Sequence, residues 1–316
     1  MAYENAINRT DAQALVPEEV SNAMLKKLSE QSAVLSQFTR VPISRNQERF
    51  PVLSALPLAY FVTGDTGLKQ TTEASWKNKY LNVEEIACIV PIPEAVLDDQ
   101  TYDIWGQIQP LMEQAIGRTL DAAVFFEVNK PETWPEGIAK AAATAGSKVK
   151  RGTNEAKTGG IVGDFSDAFG KVEESGYDVD WIVALRKYKG YLRQARATTG
   201  ESLIEPGDGQ VNSKEVFGVG VQYPMKGLWP TGSGAVEAII GDPSEQVVGV
   251  RQDITYKLLD EAVIQDSEGK IVYNLAQQDM VAMRVVFRAG WATANTINYE
   301  QQDESKRYPA AVIVAP

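Results

Sequence analysis

From Tyr80 to Ile89 apolar and polar positions alternate: Leu81, Val83, Glu85, Ala87 and Ile89 against Tyr80, Asn82, Glu84, Ile86 and Cys88. A period of two predicts a β-strand, because successive side chains face opposite sides. From Ile86 onward both faces are apolar, which predicts a strand exposed at its start and buried toward its end. Residues 39–92 read as β structure throughout, with turn chemistry at Thr63-Gly64-Asp65-Thr66-Gly67. The expectation is a long hairpin reaching out from a body, with its return strand plugged into that body.

The period then changes. Ile104, Ile108, Leu111, Met112, Ile116, Leu120, Val124 and Phe125 fall at helical spacing, predicting a helix over about 101–127. Thr101 is its expected N-cap and Asp103 lies in its first turn. Such a helix would be about 40 Å long, with a kink or break expected at Pro110. Residues 1–15 read as a polar, mobile arm. Pro17-Glu18-Glu19 opens an amphipathic helix with Val20, Met24, Leu25, Leu28 and Val34 on one face.

Residues 128–163 are rich in loop formers. A helix is expected at about 164–175, with Asp164 as its cap and Phe165, Phe169 and Val172 on one face. A short buried strand follows at Trp181, then an amphipathic helix over 186–197. From 200 to 316 short strands are punctuated by Gly and Pro. The class is α+β rather than alternating βαβ.

Composition narrows the chemistry. The chain has 316 residues, no histidine and one cysteine. Absence of histidine removes Ser-His-Asp and Cys-His catalysis, histidine zinc sites and the commonest base near neutral pH. One cysteine allows no internal disulfide and no cysteine-rich metal site. A net charge of −11 argues against a protein whose main task is gripping nucleic acid. The first twenty residues hold no apolar signal-peptide core, and no apolar run reaches the ~18 residues of a membrane span.

The remaining motifs read as scaffolding. Glu84 and Glu85 are neighbours on a strand and point apart. Asp98 and Asp99 precede a helix, where carboxylates satisfy free N–H groups. Cys88 sits in an apolar strand with no activating histidine and is expected to be inert core. Thr63–Gly67, Phe217–Gly220 and Thr231–Gly234 match no phosphate-binding loop and read as turns. The basic cluster Lys148, Lys150 and Arg151 reads as a solvated loop, with contact to nucleic acid or an acidic partner as its rival.

In order along the chain, several segments resemble the major capsid proteins of tailed bacteriophages with the Hong Kong 97-like fold. "TEASWKNKYLNVEEIACIVPIPEAVLDD" resembles the return strand of that family's extended loop. "YDIWGQIQPLMEQAIGRTLDAAVFF" resembles its spine helix. "WIVALRKYKGYLRQARATTGESLI", "FGVGVQY", "IIGDPSEQVVGVRQD" and "DMVAMRVVFRAGWA" resemble later elements, Ala197–Gly200 standing at a family turn. The resemblance covers roughly residues 15–300.

It implies an N-terminal arm (1–45), an extended loop (46–90), a peripheral domain (91–200 and 285–316) holding the spine helix, and an axial domain (201–284). It implies a structural subunit, not an enzyme, with no cofactor and no metal. Hexamers and pentamers would close into an icosahedral shell enclosing phage double-stranded DNA without sequence-specific binding. Lys69, Trp76, Lys77, Lys79 and Tyr80 are then the expected inter-subunit contacts of the loop.

Expected partners are further copies, a separate scaffolding protein, which Met1 favours over a cleaved leader, a portal and a cement protein. No membrane is involved. The location is the virion, assembled in the host bacterial cytoplasm. Some relatives crosslink a loop lysine to an asparagine with a glutamate as base. Gln277-Gln278-Asp279 offers neither, so no crosslink is expected. Two other readings stand beside this one: an encapsulin-type nanocompartment shell, and a carboxylate-dependent hydrolase.

Overall fold

The computed structural model describes residues 32–57, 59, 71–72, 74–98, 104–196, 206–207, 210–211, 215–224, 227–251, 255–266 and 268–316. The expectations for the polar arm, the helix from Pro17, the turn at 63–67, Lys69, the cap at Thr101 and the turn at 197–200 lie outside them.

The described residues begin with helix α1 (Ala33–Gln37), strands β1 (Thr39–Ile43), β2 (Gln47–Ala55) and β3 (Ser75–Pro93), then helices α2 (Glu94–Asp98), α3 (Ile104–Phe126) and α4 (Ile138–Thr144). Strand β4 (Lys148–Lys150), helix α5 (Ile161–Glu174), strand β5 (Trp181–Ala184) and helix α6 (Tyr188–Gln194) follow. Then come the short strands β6 (Pro206–Gly207), β7 (Gln210–Val211), β8 (Glu215–Val216) and β9 (Val219–Gln222). The last part is β10 (Val236–Gly241), β11 (Gln246–Arg251), β12 (Thr255–Leu259), β13 (Val263–Gln265), β14 (Ile271–Asn274), β15 (Met280–Thr293) and β16 (Ala310–Val314).

Two sheets organise these elements. The first runs β1-β11-β15-β3-β2, with β12 also on β15. Its axis is the 14-residue β15, whose one end pairs with β11 and whose other end pairs with β12, while β3 lies antiparallel along residues 280–290. The second runs β4-β16-β10-β5-β9-β8. Every residue of β5 and β16 is buried, so their sequences, WIVA and AAVIV, carry no alternation. Helices α4 and α5 pack on β16.

The main core fills the space between α3 and the two sheets. Phe38, Phe125 and Trp181 meet there, with Phe38 edge-on to Trp181 at 5.3 Å and Phe125 stacked on it at 6.1 Å. Such pairs add about 1 kcal/mol each beyond their buried area. Phe165, Ile182, Tyr188 and Ile313 belong to a second cluster, packed by α5, α6 and the second sheet.

Helix α3 spans 23 residues and runs unbroken through Pro110. Its buried row is Met112, Ile116, Leu120 and Val124, and Leu111 departs from the expected stripe, being 63% exposed. Asp121 lies on the buried side of the same helix, at 0% exposure. Its carboxylate accepts from Ser32 Oγ (2.5 Å) and from the backbone N–H groups of Ala33 (3.0 Å) and Val34 (3.2 Å). Ser32 in turn caps α1, accepting from Leu35 N at 3.2 Å. A carboxylate from the long helix thus satisfies the first turn of α1. Burial pushes the Asp121 carboxyl up to about 6, against the pull of those three hydrogen bonds.

Other expectations shift. The end of β3 is not buried on both faces. Ile86, Cys88 and Val90 pack against the core, while Ala87 and Ile89 face outward. Asp98 ends the short helix α2 rather than opening the long one. Asp164 is no cap: it lies buried in the first turn of α5 and accepts from the N–H groups of Gly152 (2.7 Å) and Asn154 (3.0 Å), tying down the preceding loop. The helix expected over 186–197 is limited to Tyr188–Gln194. Strand β5 shares a sheet with β9, β10 and β16, and β15 crosses residue 285 within one strand, so both sheets span the expected divisions at 200 and 285.

Candidate functional site

The hairpin β2–β3 leaves the first sheet where Leu81 crosses a pair of glycines. Gly249 on β11 and Gly290 on β15 lie directly opposite each other. A Cβ at Gly290 would come within 2.6 Å of the Asn82 carbonyl oxygen and 2.9 Å of Leu81. Only a residue without a side chain lets the hairpin root sit this close. Leu81 is 2% exposed there, with Ile43 and Ala292 beside it.

Beyond the root, pairing of Arg49 with Tyr80, Pro51 with Asn78 and Leu53 with Trp76 sets one face, and Phe50 with Lys79 and Val52 with Lys77 the other. The first face is open: Trp76 is 65% exposed and Tyr80 51%. The second turns toward the protein's own body. Lys77 Nζ donates to Glu304 at 2.9 Å, and Lys79 Nζ lies 3.6 Å from the same carboxylate and donates to the Thr293 carbonyl at 3.2 Å. Tyr299 Oη donates to the Pro57 carbonyl at 2.9 Å, a further tie from the same late loop.

The four described residues of the expected contact set therefore divide. Trp76 and Tyr80 lie on the open face, and Lys77 and Lys79 engage their own chain. The Lys77 hydrogen bond holds the Glu304 carboxyl below its usual range. Burial pushes the Lys79 ammonium below the usual lysine range, against the attraction of Glu304.

Glu304 is held in place by its loop. Arg307 is 3% exposed and donates to the carbonyls of Gln301 (2.8 Å), Gln302 (3.1 Å) and Asn295 (3.1 Å) and to Tyr177 Oη (3.1 Å). Tyr177 Oη donates in turn to the Thr296 carbonyl at 2.6 Å. One guanidinium thus draws the chain from Asn295 to Gln302 into a fixed coil. Sequence reading missed Arg307 and Glu304, which resemble solvated charges in an acidic, Gln-rich stretch.

The paired acids do not converge. Glu84 accepts from Thr133 Oγ1 at 2.6 Å, and Glu85 takes two bonds from Arg288 at 3.0 and 3.1 Å. Cys88 is half-buried and burial pushes its thiol up, opposite to what a nucleophile needs. Among the described residues no group of three metal-binding side chains occurs, and no helix is long and apolar enough to cross a membrane. Lys148 and Lys150 border a cleft of about 380 Å³ between β4 and α5, shared with Asp167 and Glu174, while Arg151 turns away to donate to Glu237 at 2.6 Å.

Glu304→Gln is expected to lower global stability by about 1 kcal/mol or less, since the pair is partly exposed. Amide exchange over residues 75–81 should nevertheless rise several-fold. The Glu304 carboxyl is depressed in the folded state, so its contribution is present above the unfolded glutamate value of about 4 and is lost as pH falls through the lower folded one. Unchanged exchange in the variant would show that Glu304 does not hold the hairpin.

The phage capsid family model matches residues 12–296. Among solved structures, a chain from Microbacterium phage Oxtober96 is 34% identical, with a TM-score of 0.79, covering 98% of this chain and 100% of its own length. One from Mycobacterium phage Bobi is 30% identical at a TM-score of 0.77, covering 98% and 99%. The capsid of a native GTA particle shares the fold at 15% identity and a TM-score of 0.63, over 92% and 90% of the two chains. No curated protein matches the chain.

Proposed function

The chain belongs to the phage capsid family, and from that premise we propose that its copies form hexamers and pentamers closing into an icosahedral shell around phage double-stranded DNA. The protein is a structural major capsid protein with the Hong Kong 97-like fold, not an enzyme. It self-assembles into a multimeric shell and is part of the virion. Nothing in the comparisons favours a nanocompartment or a hydrolase.

The observation that carries the finer reading is the hairpin. Its inner face is held by the body and its outer face presents Trp76 and Tyr80 to solvent. Exposed aromatics on a projecting ribbon make physical sense when a neighbour covers them. In this reading Trp76 and Tyr80 contact the next subunit directly, and Lys69, Lys77 and Lys79 are the further loop residues proposed to reach it. The arm, the extended loop, a peripheral part around α3 and an axial part around the second sheet are its working divisions. A separate scaffolding protein, a portal and a cement protein complete the assembly, which takes place in the host bacterial cytoplasm. The negative net charge suits a wall that encloses DNA without gripping it.

Electron microscopy of particles from infected cells tests this. Closed icosahedral shells with this chain in five- and six-fold clusters are expected. Tubes, sheets or subunits that never close would overturn the reading.

A further inference from the structure

Strand β4 is an edge of the second sheet and pairs with β16 alone. The Ser147 carbonyl accepts from Val312 N–H at 2.9 Å, and Arg151 N–H donates to the Val314 carbonyl at 2.8 Å. Residues 147, 149 and 151 therefore turn their backbone groups toward β16, and the residues between them turn theirs outward. Thr153 occupies the Lys150 carbonyl, donating from its N–H at 3.2 Å and its Oγ1 at 2.6 Å. Among the described residues, the N–H and carbonyl of Lys148 and the N–H of Lys150 then form an open ladder.

This ladder borders the cleft of about 380 Å³ between β4 and α5. Val149 turns to the α5 side, is 7% exposed and belongs to the second core cluster, while Lys148 and Lys150 lie on the opposite side of the strand. Gly170 lines the cleft from α5, and a Cβ on it would meet nothing within 4 Å. A strand added to β4 would place one row of side chains against Val149 and Gly170 and the other row beside the two lysines.

Charge decides which strand fits. Lys148 and Lys150 are exposed, and among the described residues neither side chain makes an ion pair or hydrogen bond. The acids of the α5 wall are engaged: Asp167 accepts from Asn154 at 2.7 Å and Glu174 from Lys171 at 3.1 Å. Two edge lysines keep β4 from pairing with the same edge of another copy, because like charges would stand opposite one another. They admit a strand with acids at alternate positions. The other described edge strands of this chain lack that pattern. β1, β6, β7, β12, β13 and β14 hold no acid, and β2 and β8 hold one each.

We propose that β4 and its cleft are a docking edge for an extended segment of another protein, with acids at alternate positions and small apolar residues between them. Its backbone continues the sheet at Lys148 and Lys150, its acids meet the two ammonium groups, and its apolar row fills the cleft beside Gly170. Main-chain hydrogen bonds supply affinity in such strand addition, and alternate side chains supply specificity. The site belongs to the second sheet and stands independently of the capsid reading.

A fluorescent, end-capped peptide alternating valine and glutamate tests this, titrated by anisotropy at physiological salt into the full chain, as free subunits and as assembled shells. Saturable binding to both is expected. Lys148→Glu with Lys150→Glu should weaken it at least about tenfold. Gly170→Leu should weaken it as much by filling the cleft, and it replaces a helical glycine with a better helix former, so the fold is kept. Circular dichroism checks both variants. In a strand only every second N–H faces one edge, so N-methylation of the valines and N-methylation of the glutamates should differ, one abolishing binding and the other sparing it. No saturable binding, equal binding of a valine–lysine peptide, indifference to Gly170→Leu, or equal effects of the two methylations overturns the proposal. So does displacement of the peptide by duplex DNA, which would assign the lysines to nucleic acid. Binding lost on assembly into shells overturns it as well, since another copy would then cover the edge.

Discussion

Asp121→Ala is expected to cost the unassembled subunit about 3 kcal/mol at pH 7. The substitution removes the acceptor for Ser32 Oγ and for two backbone N–H groups, all in the interior. Ser32, Ala33 and Val34 are all buried, so each donor left unpaired bears most of its desolvation penalty. The loss grows toward acid pH, and its sign follows from the direction of the shift. The folded carboxyl titrates at about 6, above the unfolded aspartate at about 3.9. Its contribution is therefore complete below the unfolded value and declines as pH rises through the folded one. Wild type minus variant should widen by roughly 2–3 kcal/mol between pH 7 and pH 4, at about 1.4 kcal/mol per unit. Chemical denaturation across that range measures it. A difference that is flat with pH, or largest at pH 7, would show that the carboxyl is not held up by burial.

Arg307→Met should have an effect of similar size, about 3–5 kcal/mol, by leaving three carbonyls and the Tyr177 hydroxyl without their common donor. Arg307→Lys is expected to recover little of it. A single ammonium cannot span carbonyls as far apart as those of Asn295 and Gln301, which the forked guanidinium reaches together. The second readout separates this from a general loss of stability. Releasing the loop displaces Glu304, so amide exchange at residues 75–81 should rise together with exchange at 295–302. Exchange rising only in the late loop would mean that the hairpin is positioned by its root alone.

Much of the fold was legible because it is periodic. Alternation marked β3, helical spacing marked α3, and the uniform apolarity of WIVA marked β5 as an inner strand. Periodicity reports which face of an element is apolar, not what covers it. Leu111 keeps the helical period yet lies in solvent, and Ile89 keeps the strand's and faces outward. Both belong to a subunit whose surface is completed by other copies. Asp121 could have been found: a carboxylate between Leu120 and Val124 on an apolar stripe needs partners. Its partner Ser32 lies 89 positions away, and Glu304 lies 227 positions from Lys77, with no local pattern joining them. In the sequence Trp76, Lys77, Lys79 and Tyr80 all read alike as loop contacts, and only the strand register separates the two sides.

The two sheets also set a timetable for synthesis. Strand β1 pairs in parallel with β11, some 200 positions later, and β16, at residues 310–314, is an inner strand of the other sheet, between β4 and β10. Neither the slot for β11 nor the slot for β16 can be filled by an earlier segment. At translation rates of roughly 5–20 residues per second, the early strands wait many seconds for their neighbours, their pairing delayed by the cost of closing long loops. The hairpin root rests on Gly249 and Gly290, so it too lacks its seat until the chain has passed residue 290. A growing chain therefore cannot present a finished hairpin to its neighbours, and ribosome-bound copies are kept out of the lattice until each is nearly whole.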